Sequence, residues 1–170
     1  GGICLNWGCI PTKVLLKNAE VLHYIKNADT YGVNIPKYTV DFSASISRSR
    51  TVADQLSKGI AFLMKKNNII HYEGAGKLTS STTIEVINGK NKETVTAEKI
   101  ILATGARSRS LPGMELDGDQ IISSKEAMIL KKIPKILIII GSGAIGVEFA
   151  YFYNEYGTEV HLVEMMPRIV

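Results

Sequence analysis

Apolar residues recur at three- and four-residue intervals twice before Asn67, and at alternating or continuous spacing in much of the chain beyond it. Over 11–27, Val14, Leu15, Val21, Leu22 and Ile25 fall along one side, which predicts a helix. Pro11 sits in its first turn, where a missing N–H costs nothing. After a polar loop, Asp41 or Ser43 can cap a second long helix that frays at Asn67-Asn68. Its stripe of Val52, Leu56, Ile60, Leu63 and Met64 is expected to be core or subunit contact.

From Ile69 the runs become short and β-prone. Segments 69–72, 77–79, 83–87 and 94–96 are separated by Gly74, Gly76 and the Asn88-Gly89 turn signal, which predicts a small antiparallel meander. Residues 99–104 read as one buried strand ending at Gly105. The turn-rich linker from Pro112-Gly113 to Gly118 then marks a domain boundary, with 1–118 and 119–170 on either side. Ser123 or Ser124 can cap a short helix to Leu130. Beyond Pro134 come a strand over 135–140, a glycine turn, a helix over 144–156, Gly157 and a strand over 159–164. This is a β-α-β unit in about thirty residues, and it places the chain in the α/β class.

With 45% hydrophobic and 21% charged residues, the 170-residue chain has the balance of a folded globular protein. The net charge of +4 is spread thinly, with no basic run longer than Lys65-Lys66 or Lys131-Lys132, so no nucleic-acid partner is expected. The longest apolar run, Ile136–Ile140, is far short of the ~20 residues of a membrane helix, and no membrane partner is expected either. The chain opens Gly1-Gly2 without Met, and without a basic stretch ahead of an apolar run. We therefore expect no signal peptide and further chain ahead of residue 1.

Gly141-Ser142-Gly143-Ala144-Ile145-Gly146 is a G-x-G-x-x-G placed after a strand and opening a helix. Glu164 ends the next strand, where a carboxylate can accept hydrogen bonds from an adenosine ribose diol. Gly141 allows the tight turn, Gly143 lets backbone approach a pyrophosphate, and Gly146 lets helix pack on strand. The helix N-terminus attracts the phosphate charge. An acid at position 164 repels a 2′-phosphate, with only Arg168 nearby to oppose it, which favours NAD over NADP.

The two cysteines, both within Gly1-Gly2-Ile3-Cys4-Leu5-Asn6-Trp7-Gly8-Cys9-Ile10-Pro11-Thr12-Lys13, are too few and too close to staple a scaffold. Five residues of straight helix advance about 7.5 Å, beyond the ~6.8 Å limit between bridged Cα atoms, so a Cys4–Cys9 bridge requires a distorted turn at Gly8. Thiols at the N-terminus of the following helix are expected to have lowered pKa values. A redox dithiol and an inert structural disulfide both fit this spacing. No metal site is expected: a second ligand pair is absent, and His23, His71 and His161 are scattered singly.

The string G-G-x-C-L-N-x-G-C-I-P-T-K resembles the redox-disulfide signature of the pyridine nucleotide–disulfide oxidoreductases. Gly76, Ala103-Thr104-Gly105-Ala106, the nucleotide turn and Glu164 follow in that family's order over the whole chain. The resemblance implies an FAD/NAD(P)-binding, Rossmann-like three-layer fold with a small β-meander. Its two domains would be incomplete, 1–118 being part of an FAD-binding domain and 119–170 the first part of an NAD-binding domain. Cys4 would be the interchange thiol and Cys9 the thiol next to the flavin. Lys13 would lie by the flavin's reactive edge, and Gly76, Thr104, Gly105 and Ala106 would touch FAD. Gly141, Ser142, Gly143, Ala144, Ile145, Gly146, Val147, Glu148 and Glu164 would hold NAD. The resemblance also pairs Lys13 with Glu148. Trp7 stands where the family often has Val, and Ala106 where it often has Ser; Trp7 is expected to be a packing residue.

The implied reaction is oxidation of a protein-bound dihydrolipoyl group. Its thiolate attacks the oxidised Cys4–Cys9 pair, a mixed disulfide forms on Cys4, and Cys9 thiolate is released beside the flavin. Electrons pass to FAD and on to NAD. The implied partners are lipoyl domains of 2-oxo acid dehydrogenase or glycine-cleavage complexes and a second copy of the chain. The implied location is the cytoplasm, or the mitochondrial matrix in a eukaryote. The family's general base is a histidine held by a glutamate in a C-terminal domain; no histidine here is expected in such a context, and the chain is expected to be an internal piece that cannot turn over alone. A glutathione- or mercuric-reductase-like enzyme and a noncatalytic redox or dinucleotide-binding module are the alternatives.

Overall fold

The computed structural model describes residues 2–169. Two compact units form: one from the first 57 residues together with the stretch from Arg107 onward, the other from Lys58–Ala106.

In the first unit, a short helix α1 (Ile3–Trp7) precedes α2 (Cys9–Lys26), so helix begins eight residues earlier than Pro11. Gly8 breaks the two apart. A Cβ there would lie 3.0 Å from the Ile3 carbonyl oxygen and 3.2 Å from Cys4 Cα, so any other residue would push the backbone apart by a few tenths of an ångström. A single 3₁₀ turn, Ala28–Tyr31, comes next. Asp41 then opens α3 (Phe42–Lys66), its Oδ1 accepting from the Ala44 N–H at 3.0 Å and the Ser43 hydroxyl at 2.6 Å.

Of the two roles expected for the stripe of α3, core and subunit contact, the packing of this chain does not give it the first. The buried residues of α3 are Phe42, Ile46, Ser49 and Ala53, whereas Leu56, Ile60 and Leu63 are exposed. Aromatic packing decides this, because Phe42 stacks among Phe152, Tyr153 and Tyr156 and pulls the first half of the helix onto the core.

The second unit carries an antiparallel sheet of β1 (Ala75–Leu78), β2 (Thr83–Asn88) and β3 (Asn91–Thr96), joined at the Asn88-Gly89 turn. Two expected strands are absent. Residues 69–72 and 99–104 have no regular structure, and Ile101 and Leu102 are 90% and 69% exposed. A strand needs a neighbour for its N–H and C=O groups, and none of the described residues pairs with 99–104.

Back in the first unit, a short helix α4 (Ser124–Ala127) starts in a capping box of Ser123 and Glu126. The strand-helix-strand unit then forms as expected, from β4 (Ile136–Ile140), α5 (Ala144–Glu155) and β5 (Glu159–Val163). The two strands pair in parallel, from Ile136 opposite Glu159 to Ile140 opposite Val163. Leu15 and Ala19 of α2 are buried with Phe149, Phe152 and Tyr153 of α5. Each large side chain so buried contributes roughly 1.5–3 kcal/mol. The Tyr153 hydroxyl donates to the Ala127 carbonyl, while burial pushes its pKa up. Among the described residues, no helix is long and apolar enough to cross a membrane.

Candidate functional site

Cys4 lies within α1 and Cys9 is the first residue of α2; both are exposed and unbridged. The Cys4 thiol is not lowered as expected but raised, first by its hydrogen bond with the Cys9 side chain. The backbone N–H groups of Cys9 and Ile10, at the start of α2, pull the other way and are outweighed. The helix N-terminus therefore acts on Cys4, but a neighbouring sulfur acts more strongly.

Nothing in α1 is buried, so its orientation depends on a few side chains. Trp7 packs against the core between two cations, with the Arg50 guanidinium 4.5 Å and the Lys125 ammonium 4.7 Å from its ring centre. Arg50 also donates to the Asn6 carbonyl at 2.5 Å, and the Ser57 hydroxyl donates to Asn6 Oδ1 at 3.0 Å. Sequence reasoning made Trp7 a packing residue and missed its cations. An aromatic beside a short, glycine-bounded helix was the available signal.

One turn beyond Cys9, Lys13 donates to Oε1 of Glu148 on α5, across 135 residues of chain. The pairing implied by the resemblance is present. Lys13 is 62% exposed and Glu148 27% exposed, so water still screens the pair in this structure.

Gly141 turns the chain at φ +101°, and its N–H donates to the Val163 carbonyl at 2.8 Å. A Cβ on Gly146 would meet the Gly141 carbonyl oxygen at 2.0 Å, so helix and turn can close only on glycine. The N-terminus of α5 has no side-chain cap, and the space where a Cβ of Gly143 would stand is open. Uncapped N–H groups facing open space suit a pyrophosphate. Ala144, Ile145 and Val147 supply the first turn of that helix, with Ile145 60% exposed.

Beside the turn is a cleft of about 470 Å³ lined by Ser142, Gly143, Glu164, Met166, Pro167, Arg168 and Ile169. Its size falls in the range of small-molecule sites. Glu164 Oε2 accepts from the Ser142 N–H at 2.8 Å and the Ser142 hydroxyl at 2.7 Å, and Oε1 accepts from the Met166 N–H at 2.8 Å. Hydrogen bonds from the Met166 and Ser142 N–H groups, in that order, hold its carboxyl down at about 2. The sequence assigns Glu164 and Ser142 separately to NAD and gives no sign that they bind each other.

The other expected contacts belong to the second unit. Gly76 is in β1 opposite Val86, and Thr104, Gly105 and Ala106 form an exposed stretch without regular structure, with Gly105 at φ +79°. An accessible backbone bearing small side chains fits the contact the resemblance assigns them. Gly1 lies outside the described residues.

Two histidines pair with glutamates: His23 Nδ1 lies 2.9 Å from Glu155 Oε1, and His161 Nε2 3.1 Å from Glu159 Oε1. His23 is fourteen residues past Cys9 on one helix, about 21 Å along its axis, too far to exchange a proton with the thiols. Among the described residues no group of three His, Cys, Asp or Glu could hold a metal.

The fold and site together define a dinucleotide-binding α/β unit joined to an exposed dithiol. The family model described as pyridine nucleotide-disulphide oxidoreductase matches residues 1–170, and the chain belongs to this family, which works with FAD and NAD. The chain is 46% identical over 171 residues to a dihydrolipoyl dehydrogenase of Chlorobaculum parvum, covering 100% of this chain and 36% of that protein. It is also 46% identical over 171 residues to one of Zymomonas mobilis, covering 100% of this chain and 37% of that protein. Among solved structures, LpdA from Mycobacterium tuberculosis is similar with a TM-score of 0.89 at 25% identity, over 99% of this chain and 37% of that one. The HOCl-induced flavoprotein disulfide reductase RclA from Escherichia coli, in a Cu(II) complex, has a TM-score of 0.82 at 28% identity, over 100% of this chain and 35% of that one. The chain thus spans little more than a third of the length of these relatives.

Proposed function

We propose that this chain is the thiol-bearing and nucleotide-turn portion of a dihydrolipoyl dehydrogenase. The enzyme would oxidise protein-bound dihydrolipoamide to lipoamide and reduce NAD through a Cys4–Cys9 redox pair. Residues 1–118 belong to its FAD-binding domain and 119–170 begin its NAD-binding domain. Its partners are lipoyl domains and a second copy of the chain, in the cytoplasm or mitochondrial matrix.

The observation that supports this reading most is the Lys13–Glu148 contact. It joins the helix that begins at Cys9 to the helix that begins at the glycine turn, so dithiol and dinucleotide turn ride on packed elements. Bound flavin supplies the electron relay between thiols and nicotinamide. The chain's own residues do the rest. Cys4 exchanges with the substrate dithiol, and Gly8 lets it approach Cys9. In the reduced pair the Cys9 side chain raises the Cys4 thiol, so Cys4 leaves the mixed disulfide as the sulfur that takes up a proton. Lys13, with Glu148 as countercharge, would stand beside the flavin and keep its positive charge there. The turn from Gly141 to Glu148 carries NAD, and Glu164 faces the ribose.

The test is dihydrolipoamide-dependent NAD reduction by the full-length protein. Turnover with NAD that Cys4→Ser abolishes supports the reading. A preference for NADP, or turnover with glutathione disulfide instead, would overturn it.

A further inference from the structure

Glu164 can accept about four hydrogen bonds through its two oxygens. Three positions are taken by well-formed hydrogen bonds, two on Oε2 by the Ser142 N–H and hydroxyl and one on Oε1 by the Met166 N–H, while the Met165 N–H adds a weaker pull on the same carboxylate. A ribose diol presents two hydroxyls and wants one acceptor on each oxygen. Only Oε1 has a place left.

The two backbone donors, one in the glycine turn and one in the segment after β5, remain whatever the side chains are. The hydroxyl could withdraw, by rotating, but Ser142 is 2% exposed. Water cannot replace the carboxylate there, and a buried hydroxyl without a partner is costly. Ser142 therefore keeps its hold on Glu164.

We propose that the Ser142 hydroxyl is an internal competitor of the nucleotide ribose, limiting Glu164 to one of the two diol hydrogen bonds and so weakening dinucleotide affinity. This deepens the proposed nucleotide site and rests on it. Ser142 lines the same cleft, but its hydroxyl is committed to Glu164, and through that carboxylate it acts on the ribose as a positioning residue. Orientation of the carboxylate does not depend on it, because the Ser142 and Met166 N–H groups remain in any side-chain variant. Removing the hydroxyl frees an acceptor without freeing the side chain.

The test is calorimetric binding to the full-length protein of NAD and of the NAD analogue lacking the adenosine 2′-hydroxyl. Wild type is compared with Ser142→Ala, Ser142→Gly and Glu164→Gln. Both Ser142 variants should bind NAD about tenfold more tightly than wild type, the factor one net hydrogen bond to a charged group carries. Their affinity for the analogue should stay within about twofold of wild type. A residue that merely stabilised the turn would weaken both ligands alike when removed. Should the Ser142 variants bind NAD no better than wild type while Glu164→Gln weakens it, the competition is refuted and the nucleotide site stands. NAD binding unaffected by Glu164→Gln would instead remove the site reading, and this proposal with it.

Discussion

Lys13, one turn past Cys9, forms an ion pair with Glu148, one turn into the helix after the glycine turn, although 135 residues separate them in the chain. Its partners are 62% and 27% exposed, so its contribution to stability is small, about 0–1 kcal/mol. Glu148→Gln is expected to lower the melting temperature by no more than a few degrees while cutting dihydrolipoamide-dependent turnover. Thermal unfolding alongside the assay checks this; a stability loss above about 2 kcal/mol would show that the pair serves the fold.

Gly146 has no room for a side chain. With the Gly141 carbonyl oxygen 2.0 Å from its Cβ position, Gly146→Ala must move backbone rather than a flexible tip. We expect a loss of about 1–3 kcal/mol, the cost of overpacking, together with loss of NAD binding. Urea unfolding and calorimetry measure the two.

The pH behaviour of Glu164 has a definite sign. Its carboxyl falls from an ordinary 4.5 to about 2 in the fold, so the stability it adds is complete above about pH 4.5 and is lost as pH drops toward 2. Acid unfolding of Glu164→Gln should lack that part of the slope. An unchanged acid profile would mean that the Ser142 and Met166 hydrogen bonds do not hold in solution.

Cys4 should alkylate with a midpoint above the ordinary thiol range in the reduced protein, because Cys9 raises it. Cys9→Ala removes the largest cause, and the midpoint should then fall, leaving the lowering influence of the Ile10 N–H. Rates of iodoacetamide labelling between pH 6 and pH 10, read by mass spectrometry, give both values.

Trp7 is the only tryptophan in the chain, and it lies between the two cysteines. Arg50→Met removes one of its two cations and the donor to the Asn6 carbonyl. The expected cost is about 0.5–2 kcal/mol. The Trp7 fluorescence should shift at the same time, since the ring loses a charged neighbour. A spectrum unchanged in the variant would remove Arg50 from the stack.

Local preferences were readable along the chain wherever they act over a few residues. The helix starts at Asp41 and Ser123, the Asn88-Gly89 turn and the β4-α5-β5 unit stand within a residue or two of expectation, because caps, turns and apolar period decide them in place, whereas α4 ends three residues short of Leu130 and β3 begins three before Thr94. The glycine turn and cysteine motif were legible for the same reason: their chemistry depends on close spacing.

Whatever depends on a distant neighbour was decided by the fold. Period alone marked Leu56, Ile60 and Leu63 as core or subunit contact, and within the chain Phe42 and its aromatic partners bury Ile46 and Ala53 instead. β-prone Ile101 and Leu102 formed no strand, since strand formation needs a second chain segment at hydrogen-bonding distance. The charge states obeyed the same rule. Cys4 is raised by a sulfur across the Gly8 break, and Glu164 is held down by the Met166 N–H and by Ser142, to which the chain returns it after a helix and a strand. Sequence names the groups that can ionise or bind; the donors and acceptors that folding brings within about 3 Å set how strongly they do so.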